Sequence, residues 1–205
     1  MSHSSKLLQE AVDAFSMLPG IGKKSALRMA MNLISKDKDE MINLFVRPVH
    51  DLINGIRFCS ECHNLSDQEV CSICTNRKGK VTTICVVESI RDVMAIEDTS
   101  QYNGLYHVLG GVISPLDGVS AEDLKIDSLV DRVNNSDINE VILAISPTIE
   151  GDTTIYYISK KLAEYDVKVT LLARGISFGG ELEYADELTL GRSIVTRTEY
   201  KVNQL

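Results

Sequence analysis

Four cysteines carry the most specific chemistry in this chain. Cys59, Cys62, Cys71 and Cys74 form two Cys-x-x-Cys pairs with eight residues between them. Thiolates are soft ligands, and four at this spacing can surround one tetrahedral ion, for which zinc is the usual occupant. Two disulfides compete for the same residues. A disulfide framework belongs to small, cysteine-dense secreted chains, whereas this chain has 205 residues, only five cysteines and no signal-peptide pattern. The spacing therefore predicts a closed zinc knuckle over residues 57–78, with Zn2+ as a structural cofactor. Its purpose is to hold a loop too short to bury a core of its own. With four thiolates in place, His50 and His63 read as surface histidines, and Cys85 as an apolar residue buried in a strand.

A second kind of chemistry lies in Leu18-Pro19-Gly20-Ile21-Gly22-Lys23-Lys24-Ser25-Ala26-Leu27-Arg28. Proline and two glycines end one helix and a second begins at about Lys23, which is a helix-hairpin-helix element. Gly20 and Gly22 can take positive φ and carry no Cβ, so a phosphate can approach their N–H groups at a helix start, where the dipole favours an anion. Lys23, Lys24 and Arg28 can neutralise neighbouring phosphates. Such contacts position nucleic acid without reading base sequence. Each part alone is ordinary punctuation or a solvated face; the combination predicts DNA binding by Gly20, Gly22, Lys23, Lys24 and Arg28, with helix packing or oligomerisation as the competing use.

The elements that must position these residues follow from periodicity. Leu7, Leu8, Ala11, Val12, Phe15 and Leu18 recur at helical spacing behind Ser4 or Ser5 as N-cap, and the helix ends near Met17. A third helix starts at Asp37 or Asp39, breaks at Pro48 and reaches Phe58, delivering the chain to Cys59. After Lys80 the period changes. Strands are expected at residues 81–87, 106–109, 141–145 and 167–173, with helices at 90–96, 121–133 and 153–165 and Ser89 as an N-cap. Alternating strands and helices imply a mostly parallel sheet covered by helices.

In such a sheet the functional loops lie beyond the carboxyl ends of the strands. Those ends gather Glu88, Asp117, Glu150 and Asp152 on one edge. Clustered carboxylates at strand ends can hold magnesium for phosphoryl transfer, or they can simply favour helix starts, with Glu88 capping its own turn. From the residues alone the two readings stand level.

Charge divides the chain in the same place. The net charge is −8, but residues 1–80 carry 11 Lys/Arg against 9 Asp/Glu, whereas residues 81–205 carry 10 against 20. Partners of opposite preference are expected for the two parts, although an acidic surface also serves solubility. No apolar run approaches bilayer length, so a soluble, cytoplasmic protein with no membrane partner is expected.

The order of these parts resembles the RecR family of bacterial recombination mediators over essentially the whole chain. The resemblance rests on the hairpin turn at 18–30, the four cysteines, Ile84-Cys85-Val86-Val87-Glu88, the loop at 109–118, Pro147-Thr148-Ile149-Glu150-Gly151, Leu172-Ala173-Arg174-Gly175 and Gly179-Gly180-Glu181-Leu182-Glu183-Tyr184-Ala185-Asp186. It implies an α/β chain in four parts: a helix-hairpin-helix DNA-binding module (1–56), the zinc knuckle (57–78), a Toprim-like domain (79–173) and a Walker B-like, C-terminal oligomerisation segment (174–205). It further implies a homo-oligomer, a ring tetramer or a dimer, acting with RecO and RecF to load RecA onto single-stranded DNA in recombinational repair. The acidic edge of Glu88, Glu150 and Asp152 would receive a basic partner such as RecO. Catalytic Toprim proteins place an Asp-x-Asp pair where this chain has Ser146 and Thr148. That departure argues for a scaffold without catalysis and against a magnesium-dependent enzyme acting on DNA phosphodiesters. No Walker A lysine loop accompanies residues 174–180, so ATP hydrolysis is not expected. Residues 192–202 read as an extended tail, and the knuckle reads as a pin between the basic and acidic parts. Such a protein would be nucleoid-associated.

Overall fold

The computed structural model describes residues 5–79, 81–176, 179 and 181–199. It divides into two compact units, Met1–Ile56 and Arg57–Leu205.

The first unit is helical. Ser5 caps α1 (Lys6–Ser16), its Oγ accepting from the Leu8 N–H at 3.3 Å; Ser4, the other candidate cap, lies outside the described residues. Gly20 turns the chain with φ +78° into α2 (Lys23–Ser35). Val12 of α1 is buried against Ala26 and Ala30 of α2, with Leu8, Ala11, Phe15, Ile21 and Leu27 around them. Small side chains at the crossing let the two helices approach closely.

Asp37 caps α3 (Lys38–Met41) by accepting from the Glu40 N–H at 2.9 Å. The helical run then passes through one π turn, Ile42–Val46, into α4 (Arg47–Gly55). Pro48 has no N–H to give the preceding turn, and a widened turn just ahead of it absorbs the misfit. The expected break at Pro48 is thus a π turn within a continuous run. That run ends at Gly55, not Phe58, because Phe58 belongs to a strand.

The second unit begins with a short antiparallel pair, β1 (Arg57–Phe58) and β2 (Leu65–Ser66), followed by α5 (Ser72–Arg77). Next come β3 (Thr83–Val87), α6 (Ile90–Asp98), β4 (Leu105–Val108), α7 (Ile126–Asn134), β5 (Glu140–Ala144), α8 (Ile149–Leu162) and β6 (Lys168–Leu171). The four long strands form one parallel sheet in the order β4-β3-β5-β6. β3 is central, and its β-branched run alternates between faces: Ile84 and Val86 join one buried cluster with α7 and α8, Cys85 and Val87 another with Val93 of α6. Leu129 of α7 is fully buried in the first cluster; its truncation to alanine is expected to cost about 2–5 kcal/mol.

Two local features set the loops at the carboxyl edge of the sheet. α8 starts at Ile149, four residues before the expected Thr153, because Thr148 Oγ1 accepts from the Gly151 N–H at 3.0 Å. A Cβ at Gly151 would lie 2.0 Å from the Ser146 carbonyl oxygen, so only glycine allows this start. Buried Thr154 then donates to the Glu150 carbonyl at 2.7 Å and accepts from the Ile113 N–H at 2.8 Å, fastening the 110–118 loop to α8.

After β6 the described chain continues to α9 (Glu187–Val195), capped by Asp186. Residues 192–195 are therefore helical, in contrast to the extended tail expected there; an Asp cap with Glu187 behind it supplies a start signal that the β-branched end of the segment obscures. Ser177, Phe178 and Gly180 of the Walker B-like stretch, and residues 200–202 of that tail, lie outside the described residues.

Candidate metal centre and nucleic-acid interface

The knuckle brings Cys59, Cys62, Cys71 and Cys74 together, with all four sulfurs within 4.8 Å of one another and every cysteine buried. All five cysteines of the chain are free thiols. Tetrahedral Zn–S bonds of about 2.3 Å set sulfurs about 3.8 Å apart, and Cys62 Sγ and Cys71 Sγ stand at 3.5 Å. Backbone bonds shape the cage: His63 N–H to Cys59 O at 3.0 Å, Cys59 N–H to Asn64 O at 2.8 Å, and Cys71 N–H to Cys59 Sγ at 3.3 Å. His63 makes the turn possible with φ +61°, a conformation few side chains adopt. The set fits structural zinc and offers no open coordination position. The Cys62 thiol beside it, with Arg132 adding, lowers the pKa of Cys74, which favours the ligating thiolate.

The knuckle is bonded to the sheet of the second unit. It is built into the second unit: Val108 N–H of β4 donates to Cys62 O at 2.8 Å, and Arg77 of α5 forms a two-pronged pair with Glu97 of α6, 2.9 Å at its shorter contact, while also donating to Gly104 O. His63 is no free surface histidine. Its Nε2 bonds Ser128 Oγ at 2.9 Å, and its ring meets that of His107 edge-on at 5.2 Å. Burial lowers the pKa of both imidazoles, that of His107 to about 3, which favours their neutral forms. His50 is exposed, beside Asp51.

In the hairpin the two glycines differ. Gly20 takes positive φ, but Gly22 is extended at φ −83° and ψ 164° and is the N-cap of α2 with no side-chain cap bond. Among the described residues a Cβ at Gly22 would meet nothing within 4 Å, so none of them requires glycine there. Among the described residues no side chain caps this turn, which leaves its N–H groups to an external acceptor. Lys23, Lys24 and Arg28 are exposed and have no ion-pair partner among the described residues. A bare helix start ringed by free cations can receive a phosphate backbone.

At the carboxyl edge of the sheet the structure separates residues that the strand order had grouped. Glu88 caps no turn; its Oε1 accepts the Ser146 N–H at 2.5 Å, tying the end of β3 to the end of β5. Asp117 is held by the Ser114 hydroxyl at 2.7 Å, within its own turn. Asp152 pairs with Arg174 at 2.7 Å and Arg192 at 3.5 Å, and Arg174 holds its carboxyl below the usual carboxylate range. Glu150 is half-buried, with no ion pair among the described residues. Among the described residues these acids do not close into a group of three around one point. A cavity of about 730 Å³ does open at this edge, and Asp92, Asp152, Arg174, Asp186 and Arg192 line it. Asp92 and Arg192 were not among the candidate residues. They lie far from Asp152 in sequence, and no local spacing could signal their meeting.

Four family models match the chain in order: RecR, helix-hairpin-helix at residues 8–45; RecR, four-cysteine zinc finger domain at 56–76; Toprim domain at 82–173; and RecR, C-terminal at 175–198. Among curated relatives, the recombination protein RecR of Bacteroides thetaiotaomicron is 56% identical over 96% of this chain and 95% of that protein. That of Phocaeicola vulgatus is 55% identical over the same shares. That of Cytophaga hutchinsonii is 51% identical over the full length of both. Zinc is thus a structural cofactor of this fold, and the Toprim model covers the parallel sheet. With such identity along its whole length, the chain belongs to the RecR family of recombination proteins.

Proposed function

We propose that this chain is a non-catalytic DNA-binding scaffold of recombinational repair that, with RecO and RecF, helps load RecA onto single-stranded DNA. The observation that carries the reading is the open start of α2, where Gly22 brings no Cβ to the first-turn N–H groups and Lys23, Lys24 and Arg28 have no ion-pair partner among the described residues. Zinc holds the knuckle in place and performs no chemistry on DNA.

Ser146 and Thr148 support the absence of catalysis. Neutral hydroxyls cannot replace two carboxylates as magnesium ligands, Thr148 serves as a helix cap, and Glu88 is occupied by a backbone N–H. A Toprim enzyme acting on phosphodiesters is the alternative, favoured only by the presence of Glu88, Glu150 and Asp152 at the strand ends.

The acidic edge of Glu88, Glu150 and Asp152 receives a basic partner, RecO, through charge complementarity. Because Asp152 is neutralised by two arginines, Glu150 supplies most of that attraction. Exposed Leu44, Leu52 and Ile53 in the first unit and Leu188, Ile194 and Val195 of α9 support self-association into a dimer or ring tetramer. No described helix is long and apolar enough to cross a membrane, and work on DNA places the protein in the cytoplasm at the nucleoid.

The test is RecA filament formation on single-stranded DNA coated by its binding protein, with RecO and RecF present. Adding the chain is expected to accelerate assembly, and Glu150→Lys to weaken both RecO capture and that acceleration. No acceleration by the parent chain would remove the loading role; unchanged RecO affinity in Glu150→Lys would remove the assignment of the acidic edge.

A further inference from the structure

Arg132 lies on α7 of the sheet domain, yet its side chain ends at the knuckle. Nη1 donates to the Tyr106 carbonyl at 2.6 Å, and Nη2 lies 3.5 Å from Cys74 Sγ. The guanidinium is half-buried, and no carboxylate pairs with it among the described residues. A partly buried cation without a carboxylate calls for another anion. Four thiolates around Zn2+ carry a net charge of about −2, and that centre is the anion within reach.

We infer that Arg132 is a positioning residue of the zinc centre, an outer partner that holds the Cys74 thiolate through an N–H···S bond while its other arm is fixed on β4. The rigid guanidinium fork suits this double task, because one planar group reaches a carbonyl and a sulfur at once. A hydrogen bond and a positive charge on a thiolate lower the energy of its lone pairs and slow its departure from the metal.

A second tie makes the inference one about the whole unit. Cys62, from the other Cys-x-x-Cys pair, accepts the Val108 N–H at 2.8 Å through its carbonyl. The sheet domain therefore grips one ligand residue from each pair, Cys62 through β4 and Cys74 through Arg132. A metal joining the two closes the seam between knuckle and sheet as well as the knuckle itself. Metal occupancy and order at the end of β4 are then a single cooperative property.

The test uses the full chain loaded with Co2+, whose sulfur-to-metal charge-transfer absorption reports the thiolate lone pairs. It is read together with the rate of metal loss to a chromophoric chelator and amide exchange at Val108. Arg132→Leu is expected to shift the band to longer wavelength, speed metal loss about 10-fold and expose the Val108 N–H. Arg132→Lys keeps the charge without the fork and is expected to fall between Leu and the parent. Ser128→Ala removes the His63 bond at the same seam without touching a sulfur, and its band is expected to stay at the parent position. If Arg132→Leu does not fold, Arg132→Lys decides alone. A folded Arg132 variant with the parent's band and release rate overturns the inference, as does a band shift in Ser128→Ala as large as that in Arg132→Lys.

Discussion

Asp152 Oδ1 lies 2.7 Å from Arg174 Nη2, so a carboxylate that strand order placed on a free acidic edge is instead the partner of an arginine just past β6. Arg192 of α9 approaches the same carboxylate at 3.5 Å. The pair fastens the segment after the sheet across the cavity at its carboxyl edge. Arg174 depresses the Asp152 pKa, so the contribution of the pair is complete above the unfolded value near 4 and is lost as pH falls through the lower folded value. Asp152 is 44% exposed, which screens the interaction to about 1 kcal/mol or less. Urea unfolding of Asp152→Asn is expected to show that small loss at pH 7 and a flatter acid limb than the parent below about pH 4.

The two hairpin glycines predict opposite phenotypes. Gly20→Ala places a Cβ at φ +78°, and a loss of about 1 kcal/mol in thermal or urea stability is expected. Gly22→Ala has extended backbone and open space, so folding should be unchanged or slightly improved. Its Cβ would instead stand where a phosphate approaches. Weaker DNA binding in a fully stable Gly22→Ala protein is the expected outcome, measured by fluorescence anisotropy beside a melting curve.

Replacing Cys59 with serine removes one of four zinc ligands from a centre bonded to β4 and α7. Folding of the second unit should suffer before any loss specific to DNA contact. Circular dichroism and metal content report the first, DNA binding the second. A well-folded Cys59→Ser protein that had lost only DNA binding would make the knuckle itself a DNA reader.

No cleavage or relaxation of DNA is expected when the pure protein is incubated with DNA and magnesium or manganese, since Glu88 is bonded to Ser146 and two ligand positions are hydroxyls. An activity abolished by Glu88→Gln would establish the enzymatic alternative.

The zinc set and the hairpin were legible in the sequence because both are local: the whole signal lies within about one helical turn or one loop. The central strand was legible for a related reason, since Ile84, Cys85, Val86 and Val87 are apolar on both faces and mostly β-branched. The start of α8 was not, because it depends on Gly151 lying against the Ser146 carbonyl, a contact that exists only once β5 is placed. Likewise His63 looked like a surface residue until α7 brought Ser128, and β4 brought His107, to its ring. Arg132 gave no signal at all, being 58 residues from the sulfur it meets. Whether the carboxylates of that edge meet was hidden for the same reason. Strand order places side chains at one end of a sheet, but whether they cluster depends on partners such as Ser114, Ser146, Arg174 and Arg192 that arrive from other loops.

The central claim is that DNA is held by phosphate contacts at the start of α2. Its most direct test is the affinity of the parent and of Lys23→Ala plus Arg28→Ala for one single-stranded oligonucleotide over a series of salt concentrations. The double variant is expected to bind more weakly and to lose about 0.7 from the slope of log affinity against log salt for each cation removed. Equal affinity and equal slope in a folded double variant would contradict the account.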